Sequence, residues 1–242
     1  MRALELDETI AAARDGLAVS HILHDWDWAS AEAECRRGAE LNPHDYVIRG
    51  RLADYMSIRG RHDEAIEEAR RVLEVNPISR VYLGWYSLIL HRARRYDESV
   101  AQCRKALEID PTYANALWFL ALSMEQKGEL REAIGALKRA SSLSAGAHHR
   151  AHLGRAYGVA GERTKALHIL RGLTALSRRR YVSPFDLAVV HAGLGDRTAL
   201  FQRLEEAYEQ RVFRIIELTL PMFDGLRSDP RWQELVQRVG LR

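Results

Sequence analysis

Apolar and small residues recur along this chain at three- and four-residue steps, and polar or charged residues fill the positions between them. Ala65-Ile66, Ser99-Val100, Ala133-Ile134 and Ala166-Leu167 each open an apolar stripe of helical period. No window shows the sustained two-residue alternation of a half-buried strand, so the pattern predicts an all-α chain.

The stripes are spaced regularly. AELNP, LEVNP and LEIDP end at Pro43, Pro77 and Pro111, so their prolines recur every 34 residues. Counting back from each proline, a position early in the second helix of each unit holds Ala31, Ala65, Ser99, Ala133 and, after a slip of one residue, Ala166. A matching position in the first helix holds Ala53, Ser87, Ala121, Gly154 and Ala188, and near the end of the second helix stand Gly38, Val72, Ala106, Ala140, Leu173 and Ala207. Small side chains at fixed positions let antiparallel helices approach to about 8–10 Å. The turns between paired helices carry Gly60, Gly128, Gly161 and Gly195, where glycine supplies the left-handed conformation that ends a helix. The third unit has Arg94 there instead, so its turn has to be built with a less permissive residue.

A 34-residue period with these small positions resembles the tetratricopeptide repeat (TPR). The resemblance implies a right-handed TPR superhelix, an α-solenoid of about six helix pairs, forming a single domain over 1–242. The repeats are expected near 12–43, 46–77, 80–111, 114–145, 147–180 and 181–212. Ala145 in place of a proline and Leu200 at a small position mark drift in the later units. LRSDPRWQELVQRVGL offers Asp229 as N-cap, Pro230 as first helical residue and an apolar stripe of Trp232, Leu235, Val236 and Val239, a capping helix over 228–240. At the other end ALELDE, residues 3–8, matches the close of a repeat whose first helix is missing, so the chain is expected to start in mid-repeat. The exposed apolar face this implies invites self-association.

DWDWASAE, RRYVSPFDLAVVHAGLGD and LRSDPRWQELVQRVGL together resemble one bacterial subgroup, in which a TPR array follows a winged-helix DNA-binding, class III nucleotide cyclase or Ser/Thr kinase domain. That likeness implies a regulatory or sensor segment whose effector domain is not in this chain.

Composition narrows the function. With 36 Lys and Arg against 33 Asp and Glu, the net charge is +3. The basic doublets are interleaved with acids, so the chain is not expected to bind nucleic acid directly. The run Arg178-Arg179-Arg180 reads as a solvated connection. Residues 1–20 carry charges where a secretory signal needs an apolar stretch, and no run approaches the roughly 18 apolar residues of a membrane span, so a cytoplasmic chain with no membrane contact is expected.

Candidate chemistry is sparse. Cys35 and Cys103 occupy the same helix position two repeats apart, too far for a disulfide, and read as buried small residues. His148 and His152 lie four apart on one face with His149 beside them, a permissible spacing for two metal ligands. The nearest acid in sequence is Glu162, so the set is incomplete, and a solvated first helix is expected with no metal and no cofactor. Glu67-Glu68 and Glu205-Glu206 read as solvated pairs rather than acid–base catalysts. There is no glycine-rich phosphate loop and no GxSxG elbow, so no catalytic residue is assigned and the chain is expected not to be an enzyme.

A binding reading has a surface. In TPR arrays the first helices line a concave groove, and the resemblance maps its lining onto positions that include Asp54, Leu88, His91 and His148. The expected contact set for a partner protein or peptide is Arg92, Asn115, Trp118, Glu125, Gln126 and Arg155, with Trp118 either an anchor or packed against the adjacent helix. The Lys, Asn and Arg clamp by which some TPR proteins hold chaperone tails is replaced here at positions such as Gly84, Trp118 and Ala151. HILHDWDW, residues 21–28, looks reactive but falls at a helix junction. Asp27 is expected to be an N-cap and His21 and His24 to end the preceding helix, with Trp26 beside Trp28 covering the exposed end of the array.

Overall fold

The computed structural model describes residues 11–241, and the ALELDE segment lies outside the described residues, together with the self-association it suggested. Among the described residues there is no strand. The helices pair in sequence: α1 (Ala11–Ser20, continued by a π-helical turn His21–Asp25) with α2 (Trp28–Leu41), α3 (Tyr46–Ile58) with α4 (His62–Val75), and α5 (Arg80–Arg92) with α6 (Tyr96–Ile109). α7 (Ala114–Gln126) then pairs with α8 (Leu130–Leu143), α9 (Ala147–Val159) with α10 (Arg163–Ser177), and α11 (Pro184–Leu194) with α12 (Arg197–Glu209). Two 3₁₀ turns, Phe213–Thr219 and Pro221–Leu226, lead to α13 (Pro230–Arg238). No helix among the described residues is long and apolar enough to cross a membrane.

The small positions seat the pairs. Ala31, Ala65, Ser99, Ala133 and Ala166 are completely buried, as are Ala53, Ser87, Ala121 and Ala188. Each removes a side chain from the line where two helix backbones converge. The tightest approach falls at a pair of glycines: a Cβ on Gly158 of α9 would lie 2.4 Å from the Gly193 carbonyl oxygen of α11. Chain reversals follow the local chemistry. Gly60, Gly128, Gly161 and Gly195 all take positive φ, and Arg94 takes the same conformation at φ 62°. Asp27, Asp45, Ser183, Asp196 and Asp229 each accept a backbone N–H of the first turn that follows, satisfying donors a helix start leaves open.

The C-terminal stretch after the last helix pair turns back on the array. After α12, the segment Phe213–Leu226 crosses to the first helices and buries Ile215, Leu218, Leu220 and Phe223. Pro221 forbids a continuous helix there, and the 3₁₀ turns present apolar groups without helical period. α13 packs Trp232, Leu235 and Val236 inward and brings its end to the first repeat. Trp28 donates its indole N–H to the Val239 carbonyl at 2.8 Å, and the Arg59 guanidinium donates to the Gly240 carbonyl. The expected capping helix is present, and it touches the first repeats as well as the last pair.

Candidate functional site

The concave face is where the first helices and the crossing segment meet. Of the six expected contact residues, Arg92, Trp118 and Arg155 are 5–6% exposed. Arg92 Nη1 donates to Asp54 Oδ1 at 2.8 Å across α3 and α5. Arg155 pairs with Glu125 across α7 and α9 and reaches the Met222 carbonyl of the crossing segment at 3.5 Å. Asn115 is exposed and Gln126 half-buried. Three of the six, Arg92, Asn115 and Trp118, line a cavity of about 270 Å³ together with Leu23, Arg51, Trp85, Leu88, Phe213 and Ile216. Phe213 is half exposed at its mouth, and the Arg51 guanidinium lies 5.2 Å from the Trp85 ring. Arg94, the residue at the glycine-like turn, pairs with Asp224 of the crossing segment at 2.5 Å.

The expectation of a solvated first helix at His148 and His152 is overturned. His148 and His149 are 6% exposed and His152 completely buried, because α11 and the crossing segment cover that face of α9. Trp118 packs among them, its ring 4.3 Å from that of His148 and 5.1 Å from that of His152. The acids missing from the local sequence come from elsewhere: Asp186 of α11 lies 3.3 Å from His148 Nδ1, and Glu217 Oε2 lies 3.7 Å from His152 Nε2. Arg214 Nη1 bridges Glu217 Oε1 at 2.8 Å and His148 Nε2 at 3.2 Å. Burial drives the His148 imidazole well below its ordinary range and His149 down to about 4. Burial also pushes the Asp186 carboxyl up to about 6. At Glu217 burial opposes the charge, yet its polar neighbours, the Arg214 guanidinium among them, prevail and hold its carboxyl at about 2. The sequence signal for this cluster was the His148/His152 spacing, and its acids could not be read because they lie 34 or more residues away on other elements.

The other candidates resolve simply. At the HILHDWDW corner, Asp27 caps α2 by accepting from the Ser30 N–H, and His21 lies 3.1 Å from Asp25. Trp26 does not cover a free end: its ring stacks on Tyr208 of α12 at 5.2 Å, with the Arg211 guanidinium 4.5 Å from its centroid. Both cysteines are free and buried, their thiols pushed up to about 12 by burial. Glu68 pairs with Arg49, and Glu205 with Arg238. A buried polar chain that sequence reasoning missed joins His91 Nδ1 to Ser123 Oγ, Ser123 to Ser99, and the Ser99 hydroxyl to the Ser87 carbonyl. Ser87 and Ser99 occupy the small positions of the third unit, and Ser123 joins them from the first helix of the fourth.

Comparison with known proteins agrees with the repeat. A family model for the tetratricopeptide repeat matches residues 82–113. No curated protein matches the chain. Among solved structures, PilW, described as a widely conserved type IV pilus biogenesis factor, aligns over 94% of this chain and 98% of its own at 20% identity and a TM-score of 0.63. PilF of Pseudomonas aeruginosa aligns over 96% and 98% at 15% identity and 0.59, and MamA of Desulfovibrio magneticus RS-1 over 71% and 97% at 16% and 0.56. The fold is that of a TPR solenoid, and at these identities the likeness is one of fold. None of the three is described as a transcription factor, cyclase or kinase.

Proposed function

We propose that this chain is a protein-interaction scaffold that holds a partner peptide in the part of its concave groove that the crossing segment leaves open. The observation that carries the reading is the 270 Å³ cavity between α3, α5, α7 and Phe213–Thr219. Its walls are apolar at Leu23, Trp85, Leu88 and Ile216, with Asn115 and the charged groups of Arg51, Asp54, Arg92, Arg214 and Glu217 as polar partners. A concave apolar recess with a few oriented polar groups suits one apolar anchor side chain of an extended peptide, the arrangement in which a few residues carry most of the binding energy. Trp85 and Leu88 replace Trp118 as the leading contacts, because Trp118 is committed to the histidine cluster while Trp85 and Leu88 are half-buried.

A displayed peptide library selected against the full chain tests this. Selected peptides should share an apolar anchor and lose at least about tenfold in affinity on Trp85→Ala or Leu88→Asp, a cost of about 1.4 kcal/mol or more. Failure to select any binder, or binders indifferent to both substitutions, would sink the reading.

A further inference from the structure

We infer that His148, His152 and Glu217 form a binding site for one divalent transition-metal cation of the zinc class, and that the bound cation ties the crossing segment to α9. His148 and His152 stand four apart on one helix, so both imidazoles leave the same face, with ring centroids 4.7 Å apart. Glu217 comes from the segment Phe213–Thr219, and the three ligating atoms lie within 4.8 Å of one another. The 3.7 Å between His152 Nε2 and Glu217 Oε2 is too long for a hydrogen bond. It is close to the roughly 3.4 Å that separates two ligands held at about 2.1 Å in a tetrahedral shell, and the widest pair closes by a small turn of one side chain.

Two further observations point to a cation. Both ring nitrogens of His152 and the Glu217 Oε2 atom are buried without a hydrogen-bond partner. Leaving such groups unmatched costs on the order of 1–3 kcal/mol each, and an ion between them satisfies a nitrogen and an oxygen together. Asp186, at 3.3 Å, faces Nδ1 of His148 and leaves Nε2 to the Arg214 guanidinium or to a cation in its place, the carboxylate–histidine relation that orients metal ligands. Trp118 supplies an apolar wall, and three protein ligands leave a fourth position for water.

Arg214 is the competitor. Its guanidinium contacts both His148 Nε2 and Glu217 Oε1, where its charge opposes a second cation, but the side chain is one-quarter exposed and can swing outward. This gives the site a signature that a purely structural cluster would lack.

The test is titration of the chelator-treated full chain with Zn(II), read by competition with a chromophoric chelator, and with Co(II), read by its visible absorption. One equivalent should bind, with the intense Co(II) bands of a four-coordinate site. Glu217→Gln and His148→Gln should weaken binding at least about tenfold, His149→Gln and His21→Ala should leave it unchanged, and Arg214→Ala should tighten it. Helix content by circular dichroism accompanies each variant. Failure of the wild type to take up one equivalent overturns the site, as does a folded Glu217→Gln variant that binds as tightly. Should the ligand variants not fold, Arg214→Ala decides: tighter binding supports the site, and unchanged or weaker binding refutes it.

Discussion

Trp28 and Val239 stand 211 residues apart in sequence and share a hydrogen bond, the indole N–H of the first repeat donating to the carbonyl at the end of the capping helix. With Trp26 stacked on Tyr208 and Arg94 paired with Asp224, it makes the two ends of the array one packed unit.

Trp28→Phe keeps most of the ring and removes the donor, leaving a buried carbonyl unmatched. Stability measured by urea unfolding should fall by about 1–3 kcal/mol, and amide exchange should quicken in both α2 and α13. Faster exchange in α2 alone would show that the ends are not coupled.

Gly158→Ala and Gly193→Ala should each be severe. A methyl at 158 would sit 2.4 Å from the Gly193 carbonyl oxygen, and one at 193 would sit 2.4 Å from that of Arg155, so backbone rather than a flexible side chain must yield. A loss of about 3 kcal/mol or more is expected. Gly135→Ala, exposed in α8 with nothing within 4 Å of the new methyl, should stabilise by about 0.5–1 kcal/mol. Thermal melts of the three variants side by side check the contrast.

Trp118→Ala and Arg92→Glu should act on the fold. The first opens a cavity beside the histidine cluster, and the second sets two acids against each other where Arg92 now neutralises Asp54. About 3–5 kcal/mol is expected for each in chemical denaturation, in contrast to near-native stability for Asn115→Ala.

His91 is completely buried, and burial first, then Arg92, Arg155 and Arg94, hold its imidazole down at about 3. The unfolded chain binds this proton from about pH 6.5 downward while the native state refuses it, so stability from this group is full above pH 6.5 and lost as pH falls toward 3. The contribution is about 1.4 kcal/mol per pH unit within that window. Asp186, with its carboxyl raised by burial to about 6, works in the opposite direction between its ordinary value and 6. His91→Gln should therefore make stability decline less steeply below pH 6.5, and an unchanged slope in acid titrations of denaturation would contradict the assignment.

Arg94→Gly should change stability little, because relief of a left-handed non-glycine residue, about 1–2 kcal/mol, offsets the lost Asp224 pair. Limited proteolysis should nonetheless cut Phe213–Leu226 faster than in the wild type.

The repeating unit was legible from the order of residues alone. Its 34-residue period, the small positions that prove to be buried, the glycine turns and the Asp27 and Asp229 caps are all written within one or two units, because helix periodicity and capping depend on residues a few places apart. Even the irregular Arg94 turn was legible as an anomaly. Only the tertiary structure explained it: Arg94 is needed for its side chain, which reaches Asp224. The superhelical path likewise decided that FRIIELTLPMFDGL fills part of the groove, that Trp26 meets Tyr208, and that Glu217 and Asp186 complete the His148/His152 pair. Such contacts join residues 38 to 182 positions apart. They follow from the accumulated small rotations between successive helix pairs, which no single repeat encodes.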